Sequence, residues 1–157
     1  SCILIENMIF FPLDKFSKRF GDQFFSFLIV GYSENLPEEN ESCFSMIPDA
    51  FSICKLPVIY YHIKVFRGSQ EPWICKRRFS EFLRLGEEIS KSYYPEESKE
   101  IIMPSKSFLR NNGEEFLTAR QMELTEYMEK LCVLSKEVDN IPPLCNFFEL
   151  EIQNSEQ

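Results

Sequence analysis

The run Trp73-Ile74-Cys75-Lys76-Arg77-Arg78-Phe79-Ser80-Glu81-Phe82-Leu83-Arg84-Leu85 changes its period part-way along. Trp73 to Phe79 reads as a strand. From there Phe82, Leu85 and Ile89 recur at i, i+3 and i+7, which makes one apolar helical stripe, and Ser80 stands where a cap belongs. The spacing predicts a direct strand-to-helix junction with two arginines and an aromatic ring at the join. Successive strand residues face opposite sides, so only one of Arg77 and Arg78 can point into a pocket there. Arg77 is the better candidate for a structural partner.

The neighbouring segments extend this pattern. Phe24 to Val30 is β-rich and ends at Gly31, as a buried strand would. Val58 to Phe66 is a second strand with apolar and polar residues alternating toward its end. Arg67 to Pro72 is a turn that pairs this strand with the Trp73 strand as a hairpin. Tyr93-Tyr94-Pro95 ends the first helix, Glu96 to Glu100 is polar loop, and Ile101 to Pro104 is extended. A second helix is predicted from Glu114 to Leu134 with the stripe Leu117, Leu124, Tyr127, Met128 and Leu131. A short last helix holds Leu144, Phe147 and Phe148.

The fold class that follows is α+β. A small three-stranded antiparallel sheet packs against a helical subdomain of three to four helices, with a proline-containing loop. Residues 1–21 form an N-terminal extension, 22–152 one domain, and 153–157 a polar tail. Residues 34–57 make a long insertion between two strands. Its first part, Glu34 to Ser42, is acidic, and Cys43 to Leu56 is apolar enough for a short element.

A length of 157 residues suits one domain, and 44% hydrophobic content with 16 Phe can fill its core. Cys2 to Leu13 is interrupted by Glu6, Asn7 and Pro12, so neither a membrane span nor a signal peptide is expected there. Net charge is −8, unevenly placed: −4 over residues 1–57, +2 over 58–120 and −6 over 121–157. A general polyanion binder is usually basic overall, which argues against nucleic acid. A local cationic site in an acidic chain fits one small anionic group better. None of the six cysteines forms a Cys-x-x-Cys pair, and His62 is the single histidine, so zinc spacing is absent. Cys75, Cys132 and Cys145 lie in apolar patterns and are expected to be reduced and buried. Neither a cofactor nor a metal is expected.

The chemistry concentrates at the junction. A guanidinium beside a flat ring can hold a phosphorylated sugar: the arginine donates to phosphate oxygens and the ring supports the apolar face of the sugar. Two later features accompany it, Pro104-Ser105-Lys106 in the extended loop and Arg120 on the long helix, seven residues before Tyr127. With these motifs in order, the chain resembles a phox-homology (PX) domain, the phosphoinositide-binding module of sorting nexins and related proteins. The resemblance covers about residues 22–152 and rests on Arg77-Arg78-Phe79-Ser80-Glu81-Phe82, Pro104-Ser105-Lys106, Arg120 with Tyr127-Met128, and Leu144 to Leu150 as a closing helix. Ile101 stands where the family's loop usually carries an earlier Pro.

The resemblance implies roles. Arg78 would bind the 3-phosphate of phosphatidylinositol 3-phosphate, and Phe79, at a place usually held by Tyr, would stack on the inositol ring. Lys106 would meet the 1-phosphate at the rim, and Arg120 the free 4- and 5-hydroxyls. Phe108 and Leu109 would enter the lipid layer, with Arg110 near anionic lipid. Plainer readings stand beside these: Phe79 as core, Arg120 as a surface residue, Phe108 and Leu109 as packing under the loop. His62 reads as structural rather than catalytic, and Trp73 as core or hairpin packing.

The function implied is a membrane-targeting module for a phosphoinositide lipid, cytoplasmic and peripheral on endosomal membranes. The alternative is a PX-fold protein-interaction domain with weak or no lipid binding, whose protein partner engages the 34–57 segment. No nucleophile–base set, glycine-rich phosphate loop or metal cluster stands in the sequence, so an enzyme is not expected.

Overall fold

The computed structural model describes residues 8–35, 57–104, 113–135, 138 and 141–150. Among these residues, four strands form one sheet in the order β1-β2-β3-β4: β1 (Ile9–Phe10), β2 (Phe24–Asn35), β3 (Val58–Arg67) and β4 (Trp73–Arg78). Three helices follow among the described residues, α1 (Phe79–Ser92), α2 (Glu114–Leu134) and α3 (Pro142–Phe148), with a 3-10 turn at Glu97–Glu100. The architecture is α+β, as the sequence implies.

The sheet has one strand more than the sequence predicts. β1 pairs in parallel with the start of β2, Ile9 opposite Phe24 and Phe10 opposite Phe25. Ile9 N–H donates to Gln23 O at 2.6 Å and Phe11 N–H to Phe25 O at 3.0 Å. A two-residue strand carries no readable period, so only its partner reveals it. Met8 and Phe10 enter the core, and Val138 N–H donates to Met8 O at 2.8 Å. β2 also runs past Gly31, because a register shift between Ile29 and Gly31 leaves Val30 as the extra residue, and pairing resumes at Gly31 opposite His62 and continues as far as Asn35 opposite Val58. Residues 36–56 of the long insertion lie outside the described residues.

The core lies between the inner face of the sheet and the helices. Phe25, Phe27 and Ile29 from β2, Tyr61, Ile63 and Val65 from β3, and Cys75 from β4 alternate inward and are buried. The helices answer with Phe82, Leu85 and Ile89, with Leu124, Tyr127, Met128 and Leu131, and with Leu144, Phe147 and Phe148. Each fully buried side chain of this size contributes about 1.5–3 kcal/mol by leaving water. The Phe148 ring sits 5.5 Å from Phe25 and 5.3 Å from Phe27, which ties α3 to the first long strand.

β4 holds α3 with alternate side chains. Trp73 Nε1 donates to Phe148 O at 2.9 Å, Cys75 Sγ to the same oxygen at 3.5 Å, and Arg77 Nε to Phe147 O at 3.1 Å. The last carbonyls of a helix have no partner inside it, so one face of a strand supplies their donors here. Gln121 Nε2 on α2 donates to Ile29 O at 2.9 Å, beside the β2 irregularity. Among the described cysteines, Cys75, Cys132 and Cys145 are buried thiols. Burial pushes the Cys75 thiol up to about 12.

Candidate functional site

The junction falls one residue earlier than the sequence predicts. β4 ends at Arg78 and Phe79 is already helical, so Ser80 is not the cap. Arg78 holds the cap position with extended backbone (φ −83°, ψ 159°), and its N–H donates to Glu81 Oε1 at 2.9 Å. The carboxylate three residues on serves an otherwise unpaired N–H and suits the positive end of the helix. Polar atoms three apart are as good a start signal as Ser80, and here Glu81 supplies them.

This placement splits the two arginines. Arg77 lies on the inner face of β4. Its NH2 is 3.6 Å from Glu149 Oε2, its guanidinium also meets the Phe147 and Asn146 carbonyls, and its Cζ is 5.5 Å from the Phe147 ring centre. Arg78 is exposed at the start of α1, opposite Tyr60 in the strand register.

Phe79 opens α1 and is 93% removed from solvent, at 7% exposure. Arg120 is buried to the same 7%, on α2, and its Cζ lies 3.7 Å from the centre of the Phe79 ring. It is also 4.7 Å from the Phe116 ring centre, one helical turn back along α2. A guanidinium over an aromatic face is attracted by the ring's negative quadrupole, more so when desolvated. Burial lowers the Arg120 pKa, opposed by the Tyr61 phenol and the Glu123 carboxylate. Burial in turn pushes the Tyr61 phenol up to about 12, with Arg120 pulling against it.

Arg120 occupies the helix face that carries Leu117, Leu124, Tyr127, Met128 and Leu131. An arginine on an apolar stripe is a sequence signal in its own right, since a solvated charge belongs on the other face. Phe116 belongs to none of the motifs above, yet an aromatic four residues before an arginine on a helix is a recognisable pair. Lys106, Phe108 and Leu109 lie outside the described residues.

Among the described residues, two openings lie near Arg77, Phe116 and Arg120. One, of about 600 Å³, is lined by Gly113, Glu114, Glu115 and Phe116 at the start of α2, next to the Arg120 contact. The other, of about 530 Å³, lies between α1 and α3 and pairs Arg77 and Arg84 with Glu81 and Glu88. Its charges balance and one of its two arginines, Arg77, is already committed to Glu149, so it suits a phosphate poorly.

A family model described as PX domain matches residues 67–151, more than half of the chain, spanning Arg78, Phe79 and Arg120. The chain belongs to the PX-domain family. Members of this family are generally phosphoinositide-binding modules rather than enzymes. Among solved structures, the X-ray structure of a designed CISK-PX domain aligns with this PX domain at a TM-score of 0.54 and 24% identity, covering 78% of this chain and 96% of that one. The crystal structure of the mouse SNX19 PX domain with bound sulphate ion aligns at a TM-score of 0.51 and 19% identity, covering 79% and 94%. At these identities the likeness is one of fold. No curated protein matches the chain. Among the described residues, no helix of this PX domain is long and apolar enough to cross a membrane.

Proposed function

We propose that this PX domain targets its parent protein to membranes by reading phosphatidylinositol 3-phosphate, as a peripheral protein on endosomal membranes in membrane trafficking. The observation that carries the reading is the Arg120 guanidinium seated on Phe79, immediately beside the exposed Arg78. In this reading Arg78 grips the 3-phosphate with its planar fork, and Arg120 donates to the free 4- and 5-hydroxyls. Lys106 meets the 1-phosphate as a mobile point charge, while Phe108 and Leu109 enter the lipid layer beside the bound headgroup. The acidic C-terminal part faces away from the anionic surface.

Co-sedimentation with vesicles tests this. Vesicles of phosphatidylcholine with a few per cent phosphatidylinositol 3-phosphate should carry the parent down, and plain vesicles should not. Arg78→Ala should weaken the interaction by about tenfold or more, since a charge-assisted hydrogen bond contributes roughly 1.5–3 kcal/mol. Equal sedimentation of parent and Arg78→Ala removes the reading.

A further inference from the structure

We infer that Phe116 is a positioning residue: together with Phe79 it seats the Arg120 guanidinium, and that seat decides which headgroups the site accepts. The inference rests on the lipid-binding reading above. Arg120 Cζ lies over both rings, at 3.7 Å from the Phe79 centre and 4.7 Å from the Phe116 centre. The two rings come from different elements, the first residue of α1 and the first turn of α2. One is therefore fixed to the sheet through the junction, while the other travels with the arginine's own helix.

The seat has a chemical consequence. An arginine side chain left to itself samples many rotamers, and ordering it is costly in entropy. Held against ring faces, the guanidinium keeps its plane and aims its donors in set directions. Donors in set positions suit hydroxyls at set positions. A phosphate in place of a hydroxyl adds bulk and charge, and it fits only if the guanidinium can withdraw. At 7% exposure, and with a ring face at 3.7 Å and another at 4.7 Å, Arg120 would give up both ring contacts to do so. The seat therefore favours a headgroup with free hydroxyls facing Arg120, and a loosened Arg120 discriminates less.

Phe116 is half-buried and borders the 600 Å³ opening, which distinguishes it from a core residue. A ring that merely filled space would lower stability when trimmed and weaken every headgroup alike. A ring that holds the arginine would change the ratio between headgroups.

Phe116→Leu and Phe116→Trp, in the full chain, separate these outcomes. Vesicles carry phosphatidylinositol 3-phosphate or the 3,5-bisphosphate lipid. Phe116→Leu should lose about threefold to tenfold toward the monophosphate lipid and less toward the bisphosphate, and Phe116→Trp should restore the parent's preference. In the lipid-free protein, the Arg120 Nε–H resonance should sit upfield under the ring currents. It should move downfield in Phe116→Leu and return in Phe116→Trp. An Arg120 resonance that ignores Phe116→Leu overturns the inference, as does an equal loss for both lipids with a lowered Tm. Should the parent bind no phosphoinositide vesicle, the lipid reading fails and takes the selectivity claim with it. The resonance then decides separately whether Phe116 seats Arg120.

Discussion

The Arg120 guanidinium carbon lies 3.7 Å from the centre of the Phe79 ring, and both side chains are 93% removed from solvent at 7% exposure. A buried cation is costly unless something replaces its hydration. Here a ring face and the nearby Tyr61 and Glu123 do so in part. The pair also joins α1 to α2 at the site, so its strength is open to measurement.

A double-mutant cycle with Phe79→Leu and Arg120→Met measures the pair. The coupling energy should be about 1–2 kcal/mol, the range for a desolvated cation over a ring. Urea unfolding of the parent, the two single variants and the double supplies the four free energies. A coupling near zero would mean that ring and cation are neighbours without attraction.

The adjacent arginines should have opposite phenotypes. Arg77→Ala removes donors to the Phe147 and Asn146 carbonyls and the contact with Glu149, and should cost about 2 kcal/mol of stability. Arg78→Ala leaves its backbone N–H on Glu81 and should change stability by no more than about 0.5 kcal/mol. Vesicle affinity should follow the reverse order. Denaturation curves together with co-sedimentation decide it, and similar stability losses in both variants would contradict the split.

Gly86 on α1 lies close against Tyr127 of α2. A Cβ at this position would overlap Tyr127 Oη, come 2.7 Å from Tyr127 Cζ and lie 3.1 Å from Met103 Cε. Tyr127 is buried, so its ring has no open space into which to retreat. Gly86→Ala should therefore destabilise by about 2 kcal/mol or more, despite the better helix propensity of alanine. In Gly86→Ala/Tyr127→Leu the loss should be smaller than the sum of the single losses. Thermal melts that show Gly86→Ala at or above the parent would refute the close contact.

His62 gives a pH dependence. Its Nε2 is 2.8 Å from Ser33 Oγ, and burial, then Lys76, lowers its pKa below the ordinary 6.5. The unfolded chain then takes up the proton first as pH falls, so stability rises with pH across this window. The contribution is complete above about pH 6.5 and is lost as pH drops through the lower folded value. Urea midpoints at pH 7.5 and 5.5 should fall further for the parent than for His62→Gln. Identical falls would show that His62 does not titrate differently on folding.

Much of the frame was legible in the residues. The α2 boundaries, Glu114 to Leu134, follow from the stripe Leu117, Leu124, Tyr127, Met128 and Leu131, and the β3–β4 hairpin from alternation around Arg67 to Pro72. Arg120 was marked by the resemblance alone, and the structure adds that it lies buried on that stripe. The Phe79 contact was not legible in the same way. The sequence allowed the ring to be core or a platform for a sugar, and the structure buries it beneath a guanidinium. Ser80 looked like a cap because hydroxyls favour that position, but Glu81 supplies the acceptor one residue later and moves the start to Phe79.

The sequence by itself determined the periods, and through them which segments are strands, which are helices and which faces turn inward. Those properties depend on neighbours within one element, so they are written locally. Tertiary structure alone decided that Ile9 and Phe10 join the sheet, that Arg77 serves the end of α3, and that Phe79 and Phe116 meet at Arg120. Those contacts join different elements or depend on how a side chain is packed, and the packing that selects them is set by the shape of the whole core.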